Sequence, residues 1–265
     1  MSQATTQATL TGKFVWYELM TTDPKAAAEF YPKITGWGTM PWGEGPTPYT
    51  MWTVGQGPIG GLMELPEEAK QAGAPPHWMA YVAVEDVDAK AREAEAKGAS
   101  LIVPPMDIPK VGRFAIIADP AGGATIALFR GEGEMPRPEG PPEVGEFSWN
   151  ELAASDGSKA FEFYSSLFGW EKDHDFDMGP MGAYRIYRRP GGHPLGGMMT
   201  KPKEMPVCCW LHYIRVADLN AALEAVKAGG GQVIHGPMEV PGGDMIAQCL
   251  DPQGALFALH WRKTT

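Results

Sequence analysis

The chain is poor in cysteine and in long apolar runs. Its three cysteines, Cys208, Cys209 and Cys249, are an odd number with two adjacent. Such a set fits neither a disulfide framework nor a zinc-site spacing, which favours a reducing compartment. No run approaches about 18 apolar residues and the first residues include no apolar signal segment, so we expect neither a membrane span nor secretion. The expected location is the cytoplasm.

Basic residues are also few. The chain has 22 Lys and Arg against 32 Asp and Glu, which gives a net charge of −10 and a pI of about 5.1. An acidic chain is not attracted to nucleic acid or to anionic membranes. We therefore expect a small-molecule ligand as the partner, with no nucleic acid and no membrane. The sequence does not indicate an oligomeric state.

The chain does contain an internal duplication. Residues 14–19, Phe-Val-Trp-Tyr-Glu-Leu, return as residues 147–152, Phe-Ser-Trp-Asn-Glu-Leu, and the Asp-Pro-Ala-Gly of residues 119–122 returns as Asp-Pro-Gln-Gly at 251–254. Repeat arrays have much shorter periods, on the order of 20–50 residues, so this spacing indicates duplication of a whole domain. The copies form an internal alignment: what they share serves packing or a site, and what differs cannot be needed by both.

We predict one domain over residues 12–130 and a second over 145–262, joined by a Pro/Gly/Glu linker over 131–144. A chain of 265 residues is long enough for two hydrophobic cores. Its 44% hydrophobic and 20% charged residues are typical of globular proteins.

Each copy is predicted to run strand, helix, three strands, and then the same again, an α+β fold. Pro32 lacks the amide that a helix needs, so we expect it to end the first helix early. The second copy has Ser165 at that position, and its helix is expected to continue through Leu167 and to stop at Gly169.

This pattern resembles the vicinal oxygen chelate superfamily of glyoxalase I, bleomycin-resistance proteins and extradiol dioxygenases, in particular its fused two-domain, glyoxalase-like members. The motifs that carry the resemblance are Trp-Tyr-Glu-Leu-Met-Thr-Thr-Asp over 16–23, Pro-Pro-His-Trp-Met-Ala-Tyr-Val over 75–82 and Gly-Arg-Phe-Ala-Ile-Ile-Ala-Asp-Pro-Ala-Gly over 112–122. The resemblance covers about residues 12 to 262. It implies tandem glyoxalase-like domains, each of two βαβββ units that form a half-open barrel.

The resemblance also implies positions for a divalent metal in each domain. They fall on Trp16 and Trp149, Met79 and Leu211, Ala127 and Ala258, with Met63 or Glu64 and Met199 or Thr200 nearest to the fourth-strand positions. Trp, Leu and Ala do not coordinate these metals, which take imidazole or carboxylate ligands. We therefore expect no metal cofactor. The alternative is a displaced divalent metal on Glu18 and His77, although Cys209 replaces His77 in the second copy.

The predicted ligand-binding residues are aromatic, methionine and carboxylate side chains near these positions: Trp16, Glu18, Trp52, His77, Met79, Tyr81, Trp149 and Glu151. Trp16 and Trp149 either fill the cavity or stack on a planar ligand. Glu18 and Glu151 either contact a ligand or form an ion pair that closes the barrel, with Arg113 as one partner for Glu18. The first half keeps the larger aromatic and polar set, so we expect a ligand to bind there.

The predicted function is binding of a small apolar or planar molecule by a glyoxalase/bleomycin-resistance-type protein without the standard metal site. Two alternatives stay open: a metal-dependent lyase or dioxygenase with displaced ligands, and a structural or interaction protein with filled cavities. The sequence identifies no catalytic residue, because no Ser/His/Asp arrangement can be recognised in it. Whether the protein is an enzyme is left open.

Overall fold

The structure is a computed structural model, and it describes residues 10–43, 48–133 and 140–263. Residues 134–139 of the predicted linker lie outside the described residues. In the described part the chain forms sixteen strands, five α-helices and one short 3-10 helix.

The first half contains eight strands and three helices. The strands are β1 (Phe14–Thr21), β2 (Gly38–Trp42), β3 (Tyr49–Val54), β4 (Gly57–Glu64), β5 (His77–Ala83), β6 (Ser100–Ile108), β7 (Gly112–Ala118) and β8 (Thr125–Gly131). The helices are α1 (Pro24–Thr35), α2 (Glu67–Gln71) and α3 (Val87–Ala96).

The second half repeats this order with two helices. Its strands are β9 (Phe147–Ala154), β10 (Glu171–Asp177), β11 (Ala183–Arg188), β12 (Pro194–Thr200), β13 (Cys209–Arg215), β14 (Gln232–Glu239), β15 (Met245–Leu250) and β16 (Leu256–Trp261). The helices are α4 (Gly157–Phe168) and α5 (Leu219–Ala228), and a 3-10 turn covers Gly179–Met181.

The strands form two eight-stranded sheets, each from one half of the chain. The orders are β2-β3-β4-β1-β5-β8-β7-β6 and β10-β11-β12-β9-β13-β16-β15-β14. The second order is the first with eight added to each strand number. The duplicated sequence therefore folds into duplicated sheets, and the predicted α+β class is confirmed.

Contacts divide the chain into two compact units, and each unit draws one βαβββ module from each half. One unit comprises Met1–Val15, Ala80–Gly140 and Asn150–Trp210, and the other comprises Trp16–Met79, Pro141–Trp149 and Leu211–Thr265. The first and fourth modules thus share one unit, and the second and third modules share the other. The limits 12–130 and 145–262 stay a prediction.

An aromatic core fills the unit of the first and fourth modules. The Tyr31 ring lies edge-on to the Trp78 ring with 5.3 Å between the ring centroids, and the centroids of Trp37 and Trp52 lie 5.4 Å apart. Trp78 donates its indole N–H to the Tyr31 oxygen at 3.0 Å, and Tyr31 donates to Oδ2 of Asp251 at 3.1 Å. Burial raises the pKa of Asp251 above its usual value. Helix α1 is therefore tied by a buried hydrogen bond to the turn between β15 and β16.

The unit of the second and third modules has the matching network. Trp210 donates to the Tyr164 oxygen at 3.2 Å, and Tyr164 donates to Oδ2 of Asp119 at 2.9 Å. Burial raises the pKa of Asp119 as well. The Asp-Pro-Xaa-Gly turns therefore also hold helices in place. Each aspartate accepts a hydrogen bond from a buried tyrosine hydroxyl on a helix of the other copy.

The expectation that Pro32 ends the first helix is wrong. Helix α1 continues through Pro32 to Thr35, and Gly36 caps it in the left-handed conformation with φ 75°. Proline inside a helix costs roughly 3 kcal/mol. Buried Tyr31 and Ile34 flank Pro32, and this packing outweighs the lost hydrogen bond. The prediction for the second copy is confirmed, since Gly169 caps α4 with φ 72°.

The predicted order of three strands after each helix includes the exposed strands β2 and β10, although the sequence pattern sets no bounds for them. Among the described residues, no helix is both long enough and apolar enough to span a membrane.

Candidate functional site

A buried carboxylate with two aromatic partners lies in the first module. Glu18 on β1 is only 7% exposed. Tyr49 on β3 donates its hydroxyl to Oε1 of Glu18 at 2.8 Å, and Trp16 donates its indole N–H to the Tyr49 oxygen at 3.0 Å. Burial, followed by the charge of Glu18, raises the pKa of Tyr49 above its usual value. The phenol therefore stays protonated and remains a donor to the carboxylate.

A glycine on β4 makes room for this contact. Gly61 pairs with Glu18 in the parallel β1–β4 register. A Cβ added to Gly61 would lie 1.9 Å from the Tyr49 hydroxyl oxygen and 3.2 Å from Oε1 of Glu18. Gly60 serves a different purpose, because its Cβ would meet the backbone oxygen of Tyr17 at 2.4 Å. Gly60 thus permits close backbone packing, whereas Gly61 leaves room for the Tyr49 side chain.

The same sheet face extends outward to the edge strand. Two pairing rows cross it in the order β2, β3, β4, β1: Met40–Met51–Gly61–Glu18 and Trp42–Tyr49–Met63–Met20. Side chains at paired positions share a face. Trp42 is 50% exposed and Met40 41%. We call the set Met20, Met40, Trp42, Met51 and Met63 the Met–Trp face; it surrounds the Glu18–Tyr49 pair.

The third module repeats the polar pair. Tyr184 on β11 donates to Oε2 of Glu151 on β9 at 2.9 Å, and Glu151 pairs with Gly197 on β12. A Cβ on Gly197 would lie 2.1 Å from ring carbons of Tyr184. The sequence reading missed both tyrosines, although a tyrosine at the start of a strand before a Gly-Gly pair recurs in both copies.

The border of this second pair has other side chains in the same register, with His174 in place of Met40 and Ile186 in place of Met51. The row His174–Ile186–Gly197–Glu151 matches Met40–Met51–Gly61–Glu18. Strand β10 also carries Asp175, whose Oδ1 accepts from Nε of Arg185 at 3.0 Å. This arginine holds the pKa of Asp175 below its usual value even though burial opposes it. Phe176 pairs with Tyr184 as Trp42 pairs with Tyr49, so it lies on the face of the polar pair, whereas Asp175 and Arg185 lie on the opposite face. The third module therefore presents His174 and Phe176 where the first presents Met40 and Trp42.

Three other predicted residues lie in the core. Trp52 is 0% exposed and packs against Tyr31 and Trp37, so its ring is not available to a ligand in this structure. In the second copy the register matches Ile186 with Met51 and not with Trp52, because Ile186 pairs with Gly197 as Met51 pairs with Gly61. Met79 is buried, and so is Tyr81, which lies edge-on to Phe129.

His77 and Trp149 have local partners. The Nδ1 atom of His77 lies 2.8 Å from the Pro75 carbonyl oxygen, and a carbonyl can only accept, so Nδ1 carries a proton. This contact agrees with a structural role, in which His77 at the start of β5 holds the preceding loop in place. Trp149 is half-buried and packs against Leu211, Tyr213 and Ala258.

The suggested ion pair of Glu18 with Arg113 is wrong. Arg113 donates to both carboxylate oxygens of Asp88, at 2.6 and 2.9 Å, and to Asp107 at 2.8 Å. Glu18 accepts from Tyr49 instead. Long cross-strand contacts of this kind are set by the tertiary fold, so a pattern of charges along the chain does not determine them.

The residues at the superfamily's metal positions do not fit a metal. Trp16 uses its indole N–H for Tyr49, and Glu64, the one carboxylate among the implied positions, is exposed and pairs with Lys70 at 2.8 Å. Within residues 10–43, 48–133 and 140–263, no group of three or more His, Cys, Asp and Glu side chains could hold a metal ion. Burial, followed by the charge of Glu151, raises the pKa of Cys209 to about 11, which keeps it a thiol and not a thiolate ligand.

Comparison with protein families decides the membership. The model of the "Glyoxalase/Bleomycin resistance protein/Dioxygenase superfamily" matches residues 13–128 and again residues 146–259. The chain belongs to this superfamily. The two matches coincide with the two sheets, so each copy is one glyoxalase-like half.

Two named relatives match this chain over most of its length. The chain is 32% identical over 249 residues to the "Putative glyoxylase CFP32" of Mycobacterium tuberculosis, a match that covers 92% of each protein. It is 29% identical over 260 residues to the "Anthracycline biosynthesis protein DnrV" of Streptomyces peucetius, which covers 94% of this chain and 92% of that protein.

Solved structures share the fold at low identity. The Mn(II)-bound glyoxalase from Novosphingobium aromaticivorans matches with a TM-score of 0.62 and 15% identity, over 95% of this chain and 82% of that one. The 2,3-dioxygenase LapB from Pseudomonas sp. KL28 matches with a TM-score of 0.64 and 11% identity, over 96% and 94%. At such identities the likeness extends to the fold alone.

Proposed function

We propose that this superfamily member binds a small planar, apolar molecule on the Met–Trp face of its first module, without the divalent metal of the superfamily's enzymes. One observation carries the proposal. Two exposed apolar side chains, Trp42 and Met40, lie in register with the buried Tyr49–Glu18 pair. An exposed apolar patch beside a few fixed polar groups is the usual form of a small-molecule site.

The chemistry of the face suits a flat ligand. Methionine side chains adapt to irregular or planar surfaces, and indole rings stack on them. A carboxylate accepts roughly four hydrogen bonds, so the donation from Tyr49 does not preclude a ligand hydroxyl as a further donor to Glu18. Trp16 supplies a half-buried ring beside that carboxylate. The preferred ligand is therefore planar and apolar, with a hydroxyl near one end.

The names of two relatives support this ligand class. DnrV and the related DauV of Streptomyces are both named as anthracycline biosynthesis proteins. Anthracyclines contain fused planar rings with hydroxyl groups, which is the chemistry that the Met–Trp face fits.

Tryptophan fluorescence tests the proposal. The protein has 9 tryptophans, and we expect 2-hydroxyanthraquinone to quench them with saturation. Anthraquinone without the hydroxyl should bind more weakly. The double variant Met40→Ala, Trp42→Ala should weaken binding at least tenfold, whereas Phe176→Ala on the matching strand of the third module should not. Absence of quenching, or equal loss in both variants, would contradict the proposal.

Metal content tests the second part. Elemental analysis of protein purified without a chelating tag should give far less than one divalent metal per chain, and isomerisation of the methylglyoxal–glutathione hemithioacetal should stay at background. About one Zn, Ni, Mn or Fe per chain would favour a lyase or dioxygenase with displaced ligands. Failure of every planar probe would favour an interaction protein with filled cavities.

A further inference from the structure

A serine, a histidine and an aspartate lie in hydrogen-bonded sequence in the unit of the first and fourth modules. The Oγ of Ser148 on β9 lies 2.8 Å from Nδ1 of His260 on β16. The Nε2 of the same ring lies 2.9 Å from Oδ2 of Asp244, which precedes β15. Because 112 residues separate Ser148 from His260, no local motif in the sequence could reveal this arrangement.

The aspartate determines which ring nitrogen carries the proton. Burial tends to raise the pKa of Asp244, but hydrogen bonds from His260 and from the Lys263 amide bring it below its usual value, so Asp244 is ionised. An ionised carboxylate only accepts, and therefore Nε2 of His260 carries the proton. The Nδ1 lone pair then faces the Ser148 hydroxyl. This is the relation of a general base to a nucleophile.

The serine has a second acceptor beside the histidine. Its Oγ lies 3.3 Å from the Tyr213 carbonyl oxygen, a longer contact than the one to Nδ1. When Nδ1 is unprotonated, the hydroxyl is best placed to donate to the imidazole. The side chains of His260 and Asp244 are 17% and 28% exposed, and Ser148 is half-buried, so a small reagent can reach the group.

The arrangement belongs to one copy only. Val15 and Phe129 occupy the positions that match Ser148 and His260, and Gly112 the one that matches Asp244. The fold of the first copy forms without any of the three residues. The fold common to the two copies therefore does not require the trio.

We propose that Ser148, His260 and Asp244 form a nucleophilic serine site that accepts an acyl group from small activated esters. The Ser148 Oγ attacks the ester carbonyl carbon while its proton moves to Nδ1 of His260. The bond from the carbonyl carbon to the leaving oxygen then breaks, and His260 returns the proton to that oxygen or to water. Attack of water on the acyl-serine releases the carboxylic acid and restores the hydroxyl. Asp244 is a positioning residue, because it acts only through His260. This site does not depend on the function proposed for the first module.

Acylation of the full-length protein tests the site. Incubation with p-nitrophenyl acetate should release p-nitrophenol and add one acetyl group to the peptide that contains Ser148. A fluorophosphonate probe should label the same residue. Ser148→Ala should abolish both signals, and His260→Phe, which installs the residue of the first copy, should slow them at least tenfold. Ser155→Ala is the matched control. The Ser155 hydroxyl donates to the Ala121 carbonyl oxygen, so its removal should change neither signal.

The role of Asp244 has its own readout. Imidazole nitrogen shifts measured by NMR should show Nε2 protonated and Nδ1 unprotonated in His260. Asp244→Asn should shift this tautomer balance and slow acetylation at least tenfold in protein that still melts cooperatively. Equal labelling of Ser148→Ala and the unaltered protein, or an Nδ1-protonated ring, would overturn the proposal.

Discussion

The first and third modules contain the same buried pair within different surroundings. Glu18 with Tyr49 and Glu151 with Tyr184 share a strand, a donor and a glycine that clears the path, with hydrogen bonds of 2.8 and 2.9 Å. Around the first pair lie Met40 and Trp42, exposed and apolar. Around the second pair the corresponding strand presents His174 and Phe176, and the ion pair of Asp175 with Arg185 lies on the opposite face of the sheet.

This difference separates structure from site. Both copies keep the carboxylate and its phenol, so that pair serves the sheet wherever it occurs. The borders differ at the outer strand, where the first copy has exposed Met40 and Trp42 and the second has His174 and Phe176. After duplication, the residues that border one pair can change while both pairs keep their role in the sheet. The experiments below compare the two copies.

The largest effect should come from a histidine that one copy has and the other lacks. His212 is buried on Tyr17, and burial lowers its pKa to about 3; the first copy has Ala80 at this position. A depressed histidine pKa contributes stability that is present above about pH 6.5 and is lost as the pH falls toward 3, in total on the order of 4 kcal/mol.

Urea denaturation at pH 7 and at pH 4.5 measures this loss. The unaltered protein should lose about 2–3 kcal/mol more between these values than His212→Leu, because only part of the titration range is crossed. Equal losses of unfolding free energy in the two proteins would show that burial does not lower the pKa of His212.

Removal of the buried phenols should affect the two copies alike. Tyr31→Phe strips Asp251 of a donor and Trp78 of an acceptor, and Tyr164→Phe does the same to Asp119 and Trp210. Each should cost about 3 kcal/mol of unfolding free energy, since a buried charged group loses a partner. A difference of more than about 1 kcal/mol between the two in urea titrations would mean that the networks are not equivalent.

Trp16 and Trp149, which stand where the resemblance implies metal ligands, should respond differently to substitution. Trp149→Ala should lower unfolding free energy by about 2–3 kcal/mol, less than a fully buried tryptophan, because its ring is only half-buried. Binding of 2-hydroxyanthraquinone should survive that change and should be lost in Trp16→Ala. If each variant only lowers the melting temperature and no probe binds to either, the ligand site is wrong.

The glycines below the phenols give the smallest expected change in stability. Gly61→Ala and Gly197→Ala each force a tyrosine away from its glutamate, at about 1–3 kcal/mol. The stability losses should be similar by thermal denaturation. Only Gly61→Ala should also weaken binding of the planar probe, and an equal effect of Gly197→Ala would contradict a site confined to the first module.

Much of the fold follows from local signals in the sequence. The duplication, the strand–helix order and the Gly169 cap depend on neighbouring residues, and these predictions are confirmed. Pro32 shows the limit, because buried Tyr31 and Ile34 keep a helix going that local propensity would end. The positions of strands β2 and β10 were not predicted, since an exposed edge strand needs no alternation of apolar and polar residues.

The site was predicted only in part. Trp16, Glu18 and their counterparts were named as candidates because they occupy the metal positions that the resemblance implies or share a face with them, and their role as ligand-binding residues stays a prediction. Trp52 was placed there too, but its side chain points to the opposite face of the sheet and joins the core. Strand register decides this, and a shift of one residue moves a side chain from one face to the other.

By itself, therefore, the sequence determined the family and the duplication, because each is a matter of residue identity at a known spacing. The tertiary structure alone decided which distant residues meet. Tyr49 reaches Glu18 across a glycine, Asp251 accepts from Tyr31, and Ser148 meets His260. Such contacts depend on strand order and register, which are set by the packing of the whole chain and not by any local pattern.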